Sequence, residues 1–148
     1  MLNISLELDL ERAEPYRNRA LQILLWTLIH LNELYLAHHP ETPPLYRAGV
    51  RYFREPFGYE QWITIPKIRR QGGADCEDLC AWRVAELRRK GVDARPAWTH
   101  SERVGPRGSY RMYHIKVFVP GRGFEDPSLR LGMGRRDVPV IAYPAHWR

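Results

Sequence analysis

Three residues of this chain have the side chains that nucleophilic attack by a cysteine on a carbonyl carbon requires. Such chemistry needs a thiolate, a histidine that takes and returns its proton, and a third group that orients the imidazole. Cys76, His114 and Asp126 occur in that order, and the histidine and the aspartate are 12 residues apart. The sequence therefore supplies a candidate Cys-His-Asp triad for acyl chemistry.

Cys76 is predicted to lie in the first turn of a helix over residues 76–90, with Asp75 at the N-cap position. Free backbone N–H groups at a helix start favour a thiolate and can stabilise an oxyanion. The acids Asp75, Glu77 and Asp78 act in the opposite direction, because ionised and unpaired carboxylates raise the pKa of a nearby thiol. We therefore expect a positive partner close to Cys76.

Cys80 is the second of only two cysteines and lies one helical turn after Cys76. It belongs to the predicted buried stripe of the helix, where cysteine packs as a small hydrophobic residue. Two thiols at this spacing and a histidine could bind zinc, but the chain has no second Cys/His pair at zinc-finger spacing. We interpret Cys80 as a core residue and disfavour both zinc and a disulfide framework.

The elements that must position the histidine and the aspartate are predicted strands. Residues 92–100, 110–119 and 123–126 have strand composition, with a loop over 101–109 and a turn at Pro120-Gly121. Adjacent antiparallel strands place side chains roughly 5 Å apart. The carboxylate of Asp126 is thus expected to hold one tautomer of the His114 imidazole.

Helical patterns dominate the first half of the chain. Apolar residues recur at helical spacing from 15 to 38, and a shorter helix is predicted over 45–53. Proline-rich connecting structure is expected from there to Gly73. The sequence as a whole predicts a single α+β domain over residues 1–148, with helices first and a small antiparallel sheet after them.

Four segments occur in an order that is typical of one superfamily. They are Gly-Gly-Ala-Asp-Cys-Glu-Asp-Leu at 72–79, Gly-Val-Asp-Ala-Arg at 91–95, Tyr-His-Ile-Lys-Val at 113–117, and Phe-Glu-Asp-Pro at 124–127. Over about residues 59–128 the chain resembles the transglutaminase-like superfamily of cysteine peptidases, amidases and transferases. Trp62 followed by Thr-Ile-Pro at 64–66 is similar to the segment upstream of the cysteine in bacterial transglutaminase-like cysteine proteinases.

The resemblance implies a papain-like core, with N-terminal helices packed on a small antiparallel sheet. It also implies roles for three residues: Cys76 as nucleophile, His114 as base and Asp126 as the orienting group. Family members usually have Gly-Asp-Cys at the nucleophile, whereas Ala74 stands between Gly73 and the aspartate here.

Further residues are candidates for the cleft and for a metal. Some bacterial members bind calcium through the acids flanking the nucleophile, and Asp75 and Glu77 match those places. Thioester chemistry requires no cofactor, so calcium is an additional expectation, and helix capping is the alternative role of these acids. Trp62 and Trp98 are candidate cleft residues, while Gln71 or Trp62 could add a second oxyanion donor.

Composition limits the partners that the chain is expected to have. With 148 residues, 44% hydrophobic and 27% charged, the sequence is typical of a globular domain. All but three of the 23 basic residues are arginines scattered among acids, a pattern that disfavours nucleic acid despite the net charge of +6. The acidic N-terminus lacks secretory-leader features, and polar residues interrupt the apolar stretch 20–37. We predict a cytoplasmic protein without a membrane partner.

The sequence thus predicts a cysteine hydrolase, a peptidase or amidase, that cleaves a peptide or protein substrate through a thioester on Cys76. Attack by an amine in place of water would make the same site a transglutaminase. A non-catalytic assembly or protein-binding module with this fold is the alternative from another class, and a nucleic-acid binder is the third. Hydrolysis is favoured because a short chain has little material with which to exclude water.

Overall fold

The computed structural model describes residues 14–56 and 59–141. The α+β class predicted from the sequence is confirmed. The helices are α1 (Glu14–His38), α2 (Ile65–Gln71), α3 (Cys76–Arg89) and α4 (Pro127–Arg130), with a 3₁₀ turn at Leu45–Arg47. The strands are β1 (Arg51–Tyr52), β2 (Gly73–Ala74), β3 (Arg95–Gly105), β4 (Gly108–Val119) and β5 (Gly123–Glu125).

Helix α3 is the centre of the fold, packed between α1 on one side and β4 on the other. Its predicted stripe is buried at Leu79, Cys80, Val84 and Leu87, and Trp82 on another face is buried as well. The helix is therefore enclosed on most of its circumference. Gly91, with φ of 78°, allows the chain to turn out of the helix towards β3.

Helix α1 has the bounds that its pattern predicted, beginning one residue before Pro15 and ending before Pro40. It contributes Leu25, Leu28 and Ile29 to the core, and the Asn32 side-chain oxygen accepts a hydrogen bond from the Ile65 backbone N–H at 3.0 Å. That bond joins α1 to the start of α2.

The same helix α1 is also long and apolar enough to cross a membrane, by length and composition alone. Core helices and signal sequences share this property. A cytoplasmic location without a membrane partner therefore stays a prediction.

The sheet that carries the histidine has the order β3-β4-β5 and is antiparallel throughout. The predicted loop over 101–109 is wrong, because strand pairing continues from Arg95↔Phe118 to Gly105↔Gly108. Residues 106 and 107 form the turn between the paired ends of the two strands. Pro106 has no backbone N–H, so it gives up no strand hydrogen bond there, and Gly108, the first residue of β4, adopts a φ of 104°. Strand β5 pairs with just the last three residues of β4.

The predicted helix over 45–53 is also wrong. The 3₁₀ turn stops at Arg47, Gly49 adopts a φ of 72°, and β1 pairs in parallel with β2. The predicted connection up to Gly73 contains α2, which has Pro66 in its first turn and ends at Gly72 in the left-handed conformation. These short elements place the segment that leads into Cys76.

Gly73 lies close against the backbone of β1. A Cβ built on it would lie 2.4 Å from the Arg51 carbonyl oxygen and 2.6 Å from the Phe53 ring. Only glycine fits at this position without displacing the backbone of β1. The close pairing fixes the chain three residues before the candidate nucleophile.

Candidate active site

His114 and Asp126 are in direct contact. The Nε2 atom of His114 lies 2.7 Å from Oδ2 of Asp126, and both side chains are largely buried. No residue that the structure describes forms a hydrogen bond with the other ring nitrogen, Nδ1. The carboxylate thus engages one nitrogen of the imidazole and leaves the other for a further partner.

The register of the sheet explains this contact. Val117 pairs with Glu125, so the next residue, Asp126, lies on the face of β4 that also carries His114 and Lys116. The second carboxylate oxygen, Oδ1, accepts the Leu129 backbone N–H at 3.1 Å and caps α4. Both oxygens of Asp126 are therefore held, which fixes its orientation towards the ring.

Cys76 is the first residue of α3 and is half-buried. Its sulfur lies beside the Ile115 backbone N–H, next along β4 from the histidine. The thiol donates a hydrogen bond to Oε2 of Glu77 at 3.3 Å. Among the hydrogen bonds of the described residues, none joins Cys76 to His114.

The surroundings of Cys76 favour the neutral thiol. Burial raises its pKa well above the ordinary value, and the negative charges of Glu77 and Asp75 raise it further. The Ile115 N–H acts in the opposite direction, because it stabilises the thiolate. The positive partner that the sequence led us to expect is not among the groups with the largest effect on this thiol.

The acids around Cys76 differ in what their side chains contact. Asp75 is at the N-cap position, but its side chain makes no capping hydrogen bond, so its predicted capping role is wrong. Asp75, Glu77 and Asp78 are buried, and burial raises the pKa of each, that of Glu77 to about 8. Asp78 has a structural contact instead: its Oδ1 accepts the Ile63 backbone N–H at 2.8 Å.

Asp75 and Glu77 belong to a cluster of four acids. One carboxylate oxygen from each of Glu55, Glu60, Asp75 and Glu77 lies within 4.8 Å of the others. Sequence reasoning missed Glu55 and Glu60. The available signal was two closely spaced glutamates just before Trp62, in a chain with a net positive charge.

The three further candidates, Trp62, Gln71 and Trp98, have other contacts. The Trp62 indole N–H donates to Oε2 of Glu60 at 3.3 Å, and the Gln71 amide donates to the Gly73 carbonyl at 2.6 Å. Trp98 donates to the Asn18 side chain of α1 at 3.3 Å. Trp62 thus lies at the acidic cluster, Gln71 stiffens the segment before Cys76, and Trp98 joins the sheet to α1.

Cys80 is fully buried, and its thiol donates to the Lys116 carbonyl at 3.2 Å. Burial raises its pKa more than any other cause. These contacts agree with a core position and make Cys80 a suitable comparison for Cys76.

Two surface depressions lie away from the candidate triad. One is lined by His30, Glu33, Leu34, Ala37, Arg88 and Arg89, and the other by Tyr35, Ala48, Pro66, Arg69 and Arg70. Neither includes a triad residue.

Comparisons with protein-family profiles, with curated proteins and with solved structures find no match to the chain.

Proposed function

We propose that the chain is a transglutaminase-like cysteine hydrolase with a papain-like core, a peptidase or amidase that acts through Cys76, His114 and Asp126. The observation that carries the proposal is the 2.7 Å contact between His114 and Asp126. His114 lies on β4, and the backbone N–H of the next residue, Ile115, lies beside the Cys76 sulfur. Cysteine acyl chemistry uses an oriented imidazole and a thiol at a helix start, and His114 and Cys76 supply these two groups.

The first step is proton transfer from the thiol. Since Asp126 engages Nε2 of His114, the proton of Cys76 passes to Nδ1. The thiol must first turn away from Glu77, a rotation about its Cα–Cβ bond. The resulting imidazolium supplies the positive partner that the thiolate needs among buried acids.

Acyl transfer then follows from the position of Cys76. The thiolate attacks the substrate carbonyl carbon, and backbone N–H groups at the start of α3 stabilise the oxyanion. Collapse of the tetrahedral intermediate breaks the C–N bond, and His114 gives its proton to the departing amine. The acyl group remains on Cys76 as a thioester.

Deacylation reverses the roles with water as the nucleophile. His114 takes a proton from water, the oxygen attacks the thioester carbonyl, and the C–S bond breaks. The thiolate recovers its proton from the imidazolium and the acid product leaves. We propose water rather than an amine as the nucleophile of this step.

A non-catalytic protein-binding module is the second candidate. It is favoured by the hydrogen bond of the Cys76 thiol to Glu77 and by the raised pKa of that thiol. In this case the His114–Asp126 contact would be structural, since Asp126 also caps α4.

The experiment is incubation with a glutamine-bearing peptide library and a labelled primary amine, read by mass spectrometry. The hydrolase is expected to give cleaved or deamidated products that Cys76→Ala abolishes and Cys80→Ala retains. Dominant amine incorporation would instead identify a transglutaminase. If no product depends on Cys76, the catalytic proposal fails and the binding module is favoured.

A further inference from the structure

The acidic cluster has a buried end beside the thiol and an exposed end at the surface. Asp75 and Glu77 are 7% and 5% exposed, whereas Glu55 is half-buried and Glu60 is exposed. Oε2 of Glu77 lies 3.3 Å from the Cys76 sulfur. A group that enters the cluster from its exposed end therefore lies close to the candidate nucleophile.

Two oxygens at the buried end have no hydrogen-bond partner. They are Oδ1 of Asp75 and Oε1 of Glu77. The two carboxyl groups lie against each other, and neither residue forms an ion pair with any part of the chain that the structure describes. Buried carboxylate oxygens without a donor are costly, so a cation that carries N–H donors would stabilise this end of the cluster.

The spacing of the carboxylates fits such a nitrogen. One oxygen from each of the four acids lies within 4.8 Å of the others. A nitrogen at the centre of four oxygens spaced in this way lies about 2.9 Å from each, which is an ordinary distance for a charged N–H donor and a carboxylate. An ammonium group, or one terminal nitrogen of a guanidinium group, would therefore fit the cluster.

Aromatic side chains flank the same carboxylates. The Trp62 indole N–H donates to Oε2 of Glu60 at 3.3 Å, which holds the indole at the exposed end. Burial, followed by the charges of Cys76 and Asp75, raises the pKa of Tyr52, so this phenol lies near the buried end. Aromatic rings attract organic cations. Carboxylates and aromatic rings together favour a basic side chain as the ligand.

We propose that the acidic cluster is a substrate subsite for the cationic side chain of lysine or arginine, on the residue whose carbonyl Cys76 attacks. Both side chains carry their charge on a long flexible stem, so the cation can enter the cluster while the carbonyl carbon of the same residue reaches the sulfur. This inference rests on the proposed function, because the selected peptide is the substrate of the same thiol. It adds a substrate class, peptides with a basic residue before the cleaved bond.

The first test measures the charge preference of Cys76 and needs no catalysis. Cys76 is labelled at pH 8.5 in EDTA with two methanethiosulfonate reagents, one with a trimethylammonium group and one with a sulfonate. Rates are followed by peptide mass spectrometry and divided by those of a small free thiol, which removes the intrinsic difference between the reagents. The cationic reagent is expected to react at least about 10-fold faster, although the net charge of +6 attracts anions.

Two variants test whether the cluster causes this preference. Glu55→Gln combined with Glu60→Gln should lower it at least about threefold, because each glutamine keeps an oxygen for its present hydrogen bond but has no charge. Glu102→Gln, an exposed glutamate paired with Arg111, is the matched control and should keep the full preference. A wild-type chain that shows no preference for the cationic reagent overturns the subsite, whether or not the variants fold. An unchanged preference in the double variant overturns Glu55 and Glu60 as members of it.

The second test compares peptides that differ only in the charge of the residue before the cleaved bond. Lysine is paired with acetyl-lysine, and arginine with its neutral analogue citrulline. The charged member of each pair is expected to have a kcat/KM about 100-fold higher, with cleavage lost in Cys76→Ala. Equal cleavage within both pairs overturns the subsite and leaves the hydrolase proposal standing. Cation-selective labelling that the double variant loses, without Cys76-dependent cleavage of any peptide, supports the cation site and overturns the hydrolase.

Discussion

Replacement of Glu77 by glutamine is expected to speed alkylation of Cys76 at alkaline pH. Glutamine keeps the shape of the side chain beside the thiol but carries no charge. Burial, followed by the charge of Glu60, raises the pKa of Glu77 to about 8. At pH 7 this carboxyl is mostly neutral, and the variant should behave like the wild type. Above pH 8 it ionises and opposes ionisation of Cys76, so the two proteins should diverge.

The magnitude follows from the 3.3 Å distance between the Cys76 sulfur and Oε2 of Glu77. Two unit charges at that distance repel by about 1.3 kcal/mol in water and about 5 kcal/mol at an effective dielectric constant of 20. The variant should therefore lower the pKa of Cys76 and raise the fraction of thiolate by about 10- to 5,000-fold. A less basic thiolate is also a weaker nucleophile, which cancels about half of the gain. The net acceleration at pH 9 is therefore about 3- to 100-fold.

The assay is iodoacetamide labelling in EDTA between pH 7 and 9.5, quantified by peptide mass spectrometry so that the two cysteines are followed separately. Cys76 should react before the fully buried Cys80 in both proteins. Glu102→Gln serves as the control, since its charge is far from the thiol and its rate profile should match the wild type. A ratio of variant to wild-type rates that stays the same from pH 7 to pH 9 would refute the electrostatic argument, and slower labelling in Glu77→Gln would show that the carboxylate assists the thiol.

Two other substitutions test the site and the segment before it. Asp126→Asn should keep the fold but lower any Cys76-dependent turnover by about 10⁴-fold, because the amide favours the wrong tautomer of His114. Asp137 is exposed and only loosely paired with Arg51, so Asp137→Asn should leave the rate nearly unchanged. Equal rates in the two variants would show that Asp126 acts only as the cap of α4. Gly73→Ala should lower the free energy of unfolding in urea by about 1–3 kcal/mol, because its Cβ meets the Arg51 carbonyl. This loss of stability should exceed that of Gly91→Ala, which adds only backbone strain. A smaller loss for Gly73→Ala would show that the backbone of β1 shifts at little cost.

Long periodic elements could be predicted from the sequence, and short ones could not. Helices α1 and α3 follow apolar residues at helical spacing with glycine or proline at their ends, so their bounds were found within a residue or two. The pairing of β1 with β2 and the position of α2 depend on contacts between distant segments, such as Arg51 with Gly73. No local sequence pattern reveals such contacts. Glycine and proline near residues 105–108 suggested a long loop, but they occupy a tight turn between extended strands.

The contacts of the candidate site also fall into those that local sequence predicts and those that depend on distant segments. The contact between His114 and Asp126 follows from strands that are neighbours in sequence, and local reasoning is sufficient for it. The hydrogen-bond partner of Cys76 depends on which side chains are buried around the start of α3. The charges in the sequence could not show that Glu77 accepts a hydrogen bond from the thiol. Glu55 reaches the cluster only because β1 pairs with β2, so its part in the site was beyond sequence reasoning.

The lengths of chain between contacting residues give the two halves of the site different folding histories. His114 meets Asp126 across 12 residues within a meander, a loop that closes at small entropic cost. The contacts that dock α3 and α1 span far more chain, 42 residues from Arg83 to Glu125, 55 from Glu33 to Arg88 and 80 from Asn18 to Trp98. Closing a long loop costs more conformational entropy than closing a short one. We therefore expect the histidine and its carboxylate to pair at lower entropic cost than the contacts that dock α3, the helix that carries the thiol.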